Sequence, residues 1–290
     1  MNPWKLAARP PTLWAAVAPV LVGAGLAGGD GVFRPDAFAA ALVGALAIQV
    51  AANFANDASD ARRGVDTHAR IGPPRVVAEG LLTSRQIWTG TWVAFGVAAV
   101  AGVYLTLITS WVIVAVGLAS ILATLAYVGG PLPYGYKGLG EVFVFVFFGL
   151  VATVTSRYVH DQAAPLDAWL LAIPIGFMVT AILVANNVRD IETDAATGKR
   201  TLAVIVGRAA ARRLFATLMY GAFALVAGLA VSGLTPPWTV LALTVMPLAR
   251  PLAETLSHST DGPSLIGVLQ GTARLHVLVA IGLAIGAAIG

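Results

Sequence analysis

The chain has 290 residues, 58% of them apolar and 11% charged, with a net charge of +4 and a mean hydropathy of +0.83. Too little charge is present to cover a soluble domain, and apolar runs long enough to cross a bilayer recur along the whole length, so the reading is an all-α, polytopic membrane protein. The lack of cysteine excludes a disulfide framework, thiolate metal sites and cysteine nucleophiles, and basic residues placed at membrane edges argue against the nucleic-acid partner that a pI near 9.7 would suggest.

In chain order, nine transmembrane helices are expected, over 11–29, 37–54, 86–107, 110–128, 140–155, 169–185, 214–231, 238–249 and 275–290. The first follows Lys5 and Arg9 but is long for the apolar core of a signal peptide, so it is read as a retained helix. The second leads into "NDASDARRGVDTHARIGPPR", 56–75, which holds three aspartates and four arginines. Thr83 or Ser84 reads as the cap of the third helix. Between the fourth and fifth lies "GGPLPYGYKGLGE", 129–141, a Gly- and Pro-rich turn presenting Tyr134, Tyr136 and Lys137. The fifth contains "EVFVFVFFG", which alternates like a strand. An isolated strand in lipid leaves its backbone unsatisfied, so helix is expected. The sixth ends in "NNVRDIETDAATGKRT", 186–201. Pro19 and Pro174 are expected to kink the first and sixth helices. Trp88, Trp111, Trp169 and Trp238 fall near helix ends, as interfacial anchors do.

With the N-terminus inside, all of the 18 Lys and Arg residues except Arg34 and Arg157 fall on one side. That asymmetry predicts a cytoplasmic N-terminus, an outer C-terminus and an odd number of spans in the cell membrane. The 56–75 and 186–201 loops then share the cytoplasmic face. Both begin with asparagine at a helix end, continue with aspartates three or four residues apart, and pass to glycine and basic residues. Each follows an even-numbered span, four spans apart. The pattern suggests one domain over 1–290 with a diverged duplication, its halves about 1–128 and 129–290.

Spacing limits what these acids can do. Asn53, Asn56 or Asp57, and Asp60 share a face of a continuing helix, as do Asn186, Asp190 and Asp194. Carboxylates so close repel one another unless a cation lies between them. Oxygen ligands without His or Cys suit a hard ion such as Mg²⁺, which is held by a few carboxylates together with substrate phosphate oxygens. The interleaved arginines and Lys199 then supply charge-assisted bonds to the remaining phosphate oxygens. The competing reading of either loop alone is a solvated surface of mixed charge. The matched placement of two favours a shared metal–phosphate site.

With both loops in view, the sequence resembles the UbiA-type intramembrane prenyltransferases along nearly its whole length. The family pattern "NDxxDxxxD" is met by Asn56, Asp57 and Asp60, with Gly64 in place of the last aspartate and Asp66 two residues later. That variant is similar to the 1,4-dihydroxy-2-naphthoate prenyltransferase branch of menaquinone synthesis. The second motif, "DxxxD", stands as Asp190 and Asp194, and "ARPPTLWAAVAPVLVG" and "GPLPYGYKGLGEVFVFVFFG" also look like this branch.

The resemblance implies a nine-helix bundle around a central cavity, capped on the cytoplasmic side by the polar loops. It implies that Asn56, Asp60, Asp190 and Asp194 hold Mg²⁺ against a polyprenyl diphosphate, with Asp57, Asp66 and Asn186 as further ligands. Arg62, Arg63, Arg75, Lys137, Arg189 and Lys199 are the candidates for the diphosphate and the acceptor carboxylate. Tyr134, Asn53 and Asn187 join them as substrate contacts, and Asp60, Asp190, Asp194 and Lys137 as the catalytic set. Phe143, Phe147 and Phe148 are read as core packing or as a path for the tail. The expected partners are polyprenyl diphosphate, 1,4-dihydroxy-2-naphthoate and the lipid bilayer. The alternatives are a UbiA-type enzyme with 4-hydroxybenzoate, haem or a glycerol phosphate lipid as acceptor, and, from another class, an ion transporter. Transport calls for charge in the middle of the spans, where this sequence has almost none.

Overall fold

Proline and glycine punctuate the chain as helix starts and stops. Pro3, Pro10, Pro35, Pro237 and Pro263 stand in the first turn of helical segments, where a missing N–H costs nothing. The computed structural model describes residues 2–64, 72, 74–129 and 133–290. Its helices are α1 (Pro3–Ala8), α2 (Pro10–Gly29), α3 (Pro35–Arg63), α4 (Ser84–Ile108), α5 (Val112–Val128), α6 (Gly140–Val144), α7 (Ala152–Asp161), α8 (Leu166–Arg189), α9 (Ile191–Ala196), α10 (Leu202–Val206), α11 (Arg208–Val231), α12 (Ala249–His258) and α13 (Gly262–Ala288). A 3₁₀ turn covers Tyr134–Tyr136, a π segment Phe145–Val151 joins α6 to α7, and a 3₁₀ helix covers Pro237–Leu248.

Seven helical stretches are long and apolar enough to cross a membrane among the described residues, and Val112–Val128 is a shorter apolar helix. This differs from nine equivalent helices at one place above all. The stretch expected as the eighth is a 12-residue 3₁₀ helix running directly into α12. Its 2.0 Å rise per residue gives roughly 24 Å of length, so few residues go far. Glycines show that it runs antiparallel to α13: Gly286 abuts Trp238, Gly282 abuts Ala242 and Gly271 abuts Leu252. The last helix begins at Gly262 rather than near 275. Arg274, which the sequence reading put at the membrane edge, is an exposed residue inside it, and its long stem lets the charge reach outward.

The "EVFVFVFFG" stretch is helical, as lipid requires, but wound as a π segment over Phe145–Val151. There Gly149 lies against Gly176 of α8, so close that a Cβ on Gly149 would fall 2.4 Å from the Gly176 Cα. α8 is the central helix, with 72% of its apolar window buried. α2 packs along α13 through Gly25 and Gly29 against Ala284 and Ala287, the small-residue contact by which helices approach without a hydrophobic drive from lipid. Trp111, Trp169 and Trp238 are exposed near helix ends.

Two extensions position the site. α3 continues past Phe54 for more than two turns, because nothing breaks it before Gly64, whose φ of +67° ends the helix in the left-handed region. α8 likewise continues to Arg189, and Asp190 joins it to α9. The polar motifs therefore stand on the ends of spanning helices.

Candidate functional site

The end of α3 presents its polar residues to different surroundings. Asn56 and Asp60 line a central cavity of about 340 Å³. The Asp60 carboxylate accepts from the Tyr136 hydroxyl at one oxygen and from the Arg75 guanidinium at the other, 3.0 Å away. Asp57 turns aside: it accepts from the Val77 N–H at 3.1 Å and pairs with Arg9 at 3.9 Å. Asn53 lines the cavity, and its amide is engaged by the Ala8 carbonyl at 2.8 Å and the Thr12 hydroxyl at 2.9 Å, tying α3 to the α1–α2 junction. Asp66 lies outside the described residues.

The second motif is arranged the same way. Arg189 donates to both oxygens of Asp190, at 2.7 and 2.5 Å, and to the side-chain amide oxygen of Asn186 at 2.8 Å. Lys199 lies 3.5 Å from Asp194 Oδ1. Asp194 is buried and its Oδ2 has no hydrogen-bond partner among the described residues. Burial pushes its carboxyl up to about 6, against the pull of Lys199 and with a further push from Asp190 and Asp60. Asn186, Asn187 and Lys199 line the central cavity, while Asn187 also donates to the buried Glu141 at 2.8 Å.

Tyr136 joins the two motifs. Its hydroxyl holds Asp60, its ring lies between Arg63 at 4.7 Å and Lys199 at 5.3 Å, and its carbonyl accepts from the Arg200 N–H at 3.2 Å. Burial and the neighbouring Asp60 carboxylate raise the hydroxyl's pKa, which keeps it a donor. The sequence reading ranked Tyr134 above it. Tyr134 borders the cavity, but its hydroxyl is spent on the Ala123 carbonyl at 2.7 Å and its ring stacks on Phe143. Only the spacing of the two tyrosines, on different sides of a tight turn, hinted at the division.

The structure thus brings Asn53, Asn56, Asp60, Arg75, Tyr134, Asn186, Asn187 and Lys199 to one cavity. Asp190 and Arg189 stand behind Asn186. Arg63 and Lys137 do not line the cavity; they border a separate surface pocket with Tyr136 and Arg200. Arg62 is exposed at the end of α3. Below the polar mouth the wall is almost wholly apolar, and Phe143, Phe147 and Phe148 are part of it.

No three His, Asp or Glu side chains among the described residues stand together as a ready metal cage. The donor set nonetheless fits a hard divalent ion. It is all oxygen, it comes from two facing motifs, and it includes the unpartnered Asp194 Oδ2. Asp60, Asp190 and Asp194 each sit on a cationic side chain instead.

A family model described as the UbiA prenyltransferase family matches residues 16–262. The chain is 39% identical over 283 residues to the 1,4-dihydroxy-2-naphthoate octaprenyltransferase of Mycobacterium leprae (strain TN), covering 97% of this chain and 94% of that one. It is 32% identical to the protein of that name from Escherichia coli (strain K12), covering 93% and 90%. Among solved structures, a UbiA homolog from Archaeoglobus fulgidus bound to GPP and Mg²⁺ superposes with a TM-score of 0.66 at 14% identity, over 98% of this chain and 99% of that one. That likeness is one of fold.

Proposed function

Because the chain belongs to the UbiA prenyltransferase family, we propose that it transfers a polyprenyl group from its diphosphate to 1,4-dihydroxy-2-naphthoate, giving demethylmenaquinol, the reduced form of demethylmenaquinone, for menaquinone synthesis. The observation that carries this reading is that Asp60 and Lys199 line one end of an apolar cavity, with Asp194 paired to Lys199 behind it and Tyr136 holding Asp60 while its ring lies against Lys199. The names of the M. leprae and E. coli relatives support the choice of acceptor. The whole chain acts as one domain, since the cavity wall draws on residues from Arg9 to Leu269.

Asn56, Asp60, Asn186, Asp190 and Asp194 would hold Mg²⁺, with Asp66 as a further ligand by its place in the motif, while Asp57 stays turned to Arg9 and the Val77 N–H. The ion supplies charge stabilisation for the departing diphosphate. Arg75, Arg189 and Lys199 are close enough to exchange their carboxylate partners for phosphate oxygens. Arg62, Arg63 and Lys137 lie further out and add positive potential over the mouth. As the allylic C–O bond breaks, its electron pair leaves with the diphosphate and positive charge develops on carbon. The apolar wall keeps water from that carbon. The electron-rich ring then forms the new C–C bond, and its carboxylate leaves as CO₂, returning the bonding pair to the ring. The polar loops face the cytoplasm, with the N-terminus inside and the C-terminus outside.

Membranes containing the protein, given a prenyl diphosphate, 1,4-dihydroxy-2-naphthoate and Mg²⁺, are expected to form demethylmenaquinol, detected as demethylmenaquinone after oxidation in air, and 4-hydroxybenzoate is expected to give no prenylated product. Asp60→Asn and Asp190→Asn should each cost on the order of 10²–10³-fold in turnover. Turnover that survives both substitutions and EDTA would sink the metal–diphosphate reading.

A further inference from the structure

Asn187 is held by its nitrogen. Nδ2 donates to Glu141 Oε1 at 2.8 Å, and both side chains are buried. A carboxamide is a donor at one end and an acceptor at the other, so the bond that takes the nitrogen also turns the oxygen away. Asn187 borders the central cavity, and its Oδ1 accepts no hydrogen bond among the described residues. What this side chain offers the cavity is an uncharged acceptor.

Its polar neighbours on the wall offer something else. Arg9, Arg75 and Lys199 are cations, and Asp60 is an anion. Asn53 has both ends engaged: its nitrogen goes to the Ala8 carbonyl and the Thr12 hydroxyl, and its oxygen takes the Gln49 amide at 3.5 Å.

The setting of Glu141 keeps the Asn187 amide from turning over. Glu141 is the second residue of α6, and a helix start favours an acid in its first turn. Gly140 before it lets α6 come close to α8, since a Cβ there would meet Leu183, one turn before Asn187, at 3.4 Å. A bond that only tied two helices together could run between any facing positions on them. This one fixes the polarity of a group on the cavity wall.

We propose that Asn187 reads a ring hydroxyl of the aromatic acceptor. The hydroxyl donates its hydrogen to Asn187 Oδ1, and Glu141 is the positioning residue that keeps that oxygen turned inward. This rests on the naphthoate reading above and adds to it the feature by which the ring is recognised. A hydroxyl on the ring is a donor, whereas a quinone carbonyl in the same place would set lone pair against lone pair. The arrangement therefore favours the reduced ring over the oxidised one.

The test is binding of 2-naphthoate, 1-hydroxy-2-naphthoate and 4-hydroxy-2-naphthoate, followed by their own fluorescence. The purified full chain is used, with Mg²⁺ and an unreactive prenyl diphosphate analogue present. One of the hydroxy acids is expected to bind about tenfold tighter than 2-naphthoate, the worth of one hydrogen bond. Asn187→Leu and Glu141→Leu should abolish that difference. Glu141→Gln, whose own amide oxygen can still accept from Asn187, should keep most of it. A merely structural loss would weaken all three acids in proportion and leave the ratio as it was. Asn187→Ala repeats the measurement if leucine at 187 prevents folding. A hydroxyl advantage that persists in the Asn187 variants, or a wild-type chain that binds all three acids alike, overturns the proposal. So does a loss of Mg²⁺ affinity with the hydroxyl advantage intact, which would make Asn187 a ligand of the ion. A wild-type chain that binds none of the three counts against the naphthoate reading beneath it instead.

Discussion

Asn187 and Asp190 stand three residues apart, yet they answer to different constraints. Asn187 borders the cavity and also donates to Glu141, which is buried with it. Asn187→Ala leaves that carboxyl without its donor, a loss of about 1–3 kcal/mol, and thermal unfolding of the detergent-solubilised protein should register it. Retention of full stability would show that Glu141 is satisfied elsewhere. At this scale the acids were legible in the sequence, because polar residues three and four apart stand out against so apolar a background. Their partners were not. Nothing in local spacing says that Arg9 reaches Asp57, that Arg189 is committed to Asp190, or that Tyr136 rather than Tyr134 holds Asp60. The contacts of Arg9 with Asp57 and of Tyr136 with Asp60 join residues far apart in the chain, and the pair of neighbours Arg189 and Asp190 depends on side-chain direction, which spacing does not reveal.

Among the elements, the pairing of α13 with the 3₁₀ helix depends on bare backbone. A Cβ on Gly286 would lie 2.1 Å from the Trp238 carbonyl oxygen. Gly286→Leu must push the two apart, and overpacking of this kind costs typically about 1–3 kcal/mol. Unfolding in a graded mixture of detergents should show the loss. Gly228→Leu, whose Cβ meets nothing within 4 Å, is the matched substitution expected to be silent. Apolar periodicity located the long helices, but it could not foresee this pair. A mostly apolar stretch of twelve residues that follows Pro236 and contains Pro237 and Pro247 looks like a short α-helix, and only packing against α13 reveals the tighter winding. Arg274 misled in the opposite sense, since one cation inside a 27-residue helix imitates a boundary. The alternating phenylalanines were read as helix on the strength of the solvent, and the π winding followed from the contact of Gly149 with Gly176.

For the whole molecule, the distribution of charge is the governing feature. The proposed chemistry gathers at one end, and a separate set of ion pairs ties the other. The two-loop symmetry of the sequence anticipated the first and gave no notice of the second, because Asp30 lies far along the chain from Arg157 and Asp161. At the mouth, each principal acid already rests on a base. A divalent ion arriving alone must break such a pair to gain its ligands. Arriving with a diphosphate, it leaves the displaced guanidinium and ammonium groups an anion to turn to. At the proposed site, ion and lipid head would therefore be each other's effector, and linkage would make the effect equal in both directions. Half-saturating Mg²⁺ should fall about tenfold in the presence of an unreactive prenyl diphosphate analogue, a coupling of about 1.4 kcal/mol. Independent titrations would remove the idea. A membrane short of donor lipid would then hold this protein in a self-neutralised idle state, indifferent to the ample magnesium around it and awakened only by the scarcer of its two guests.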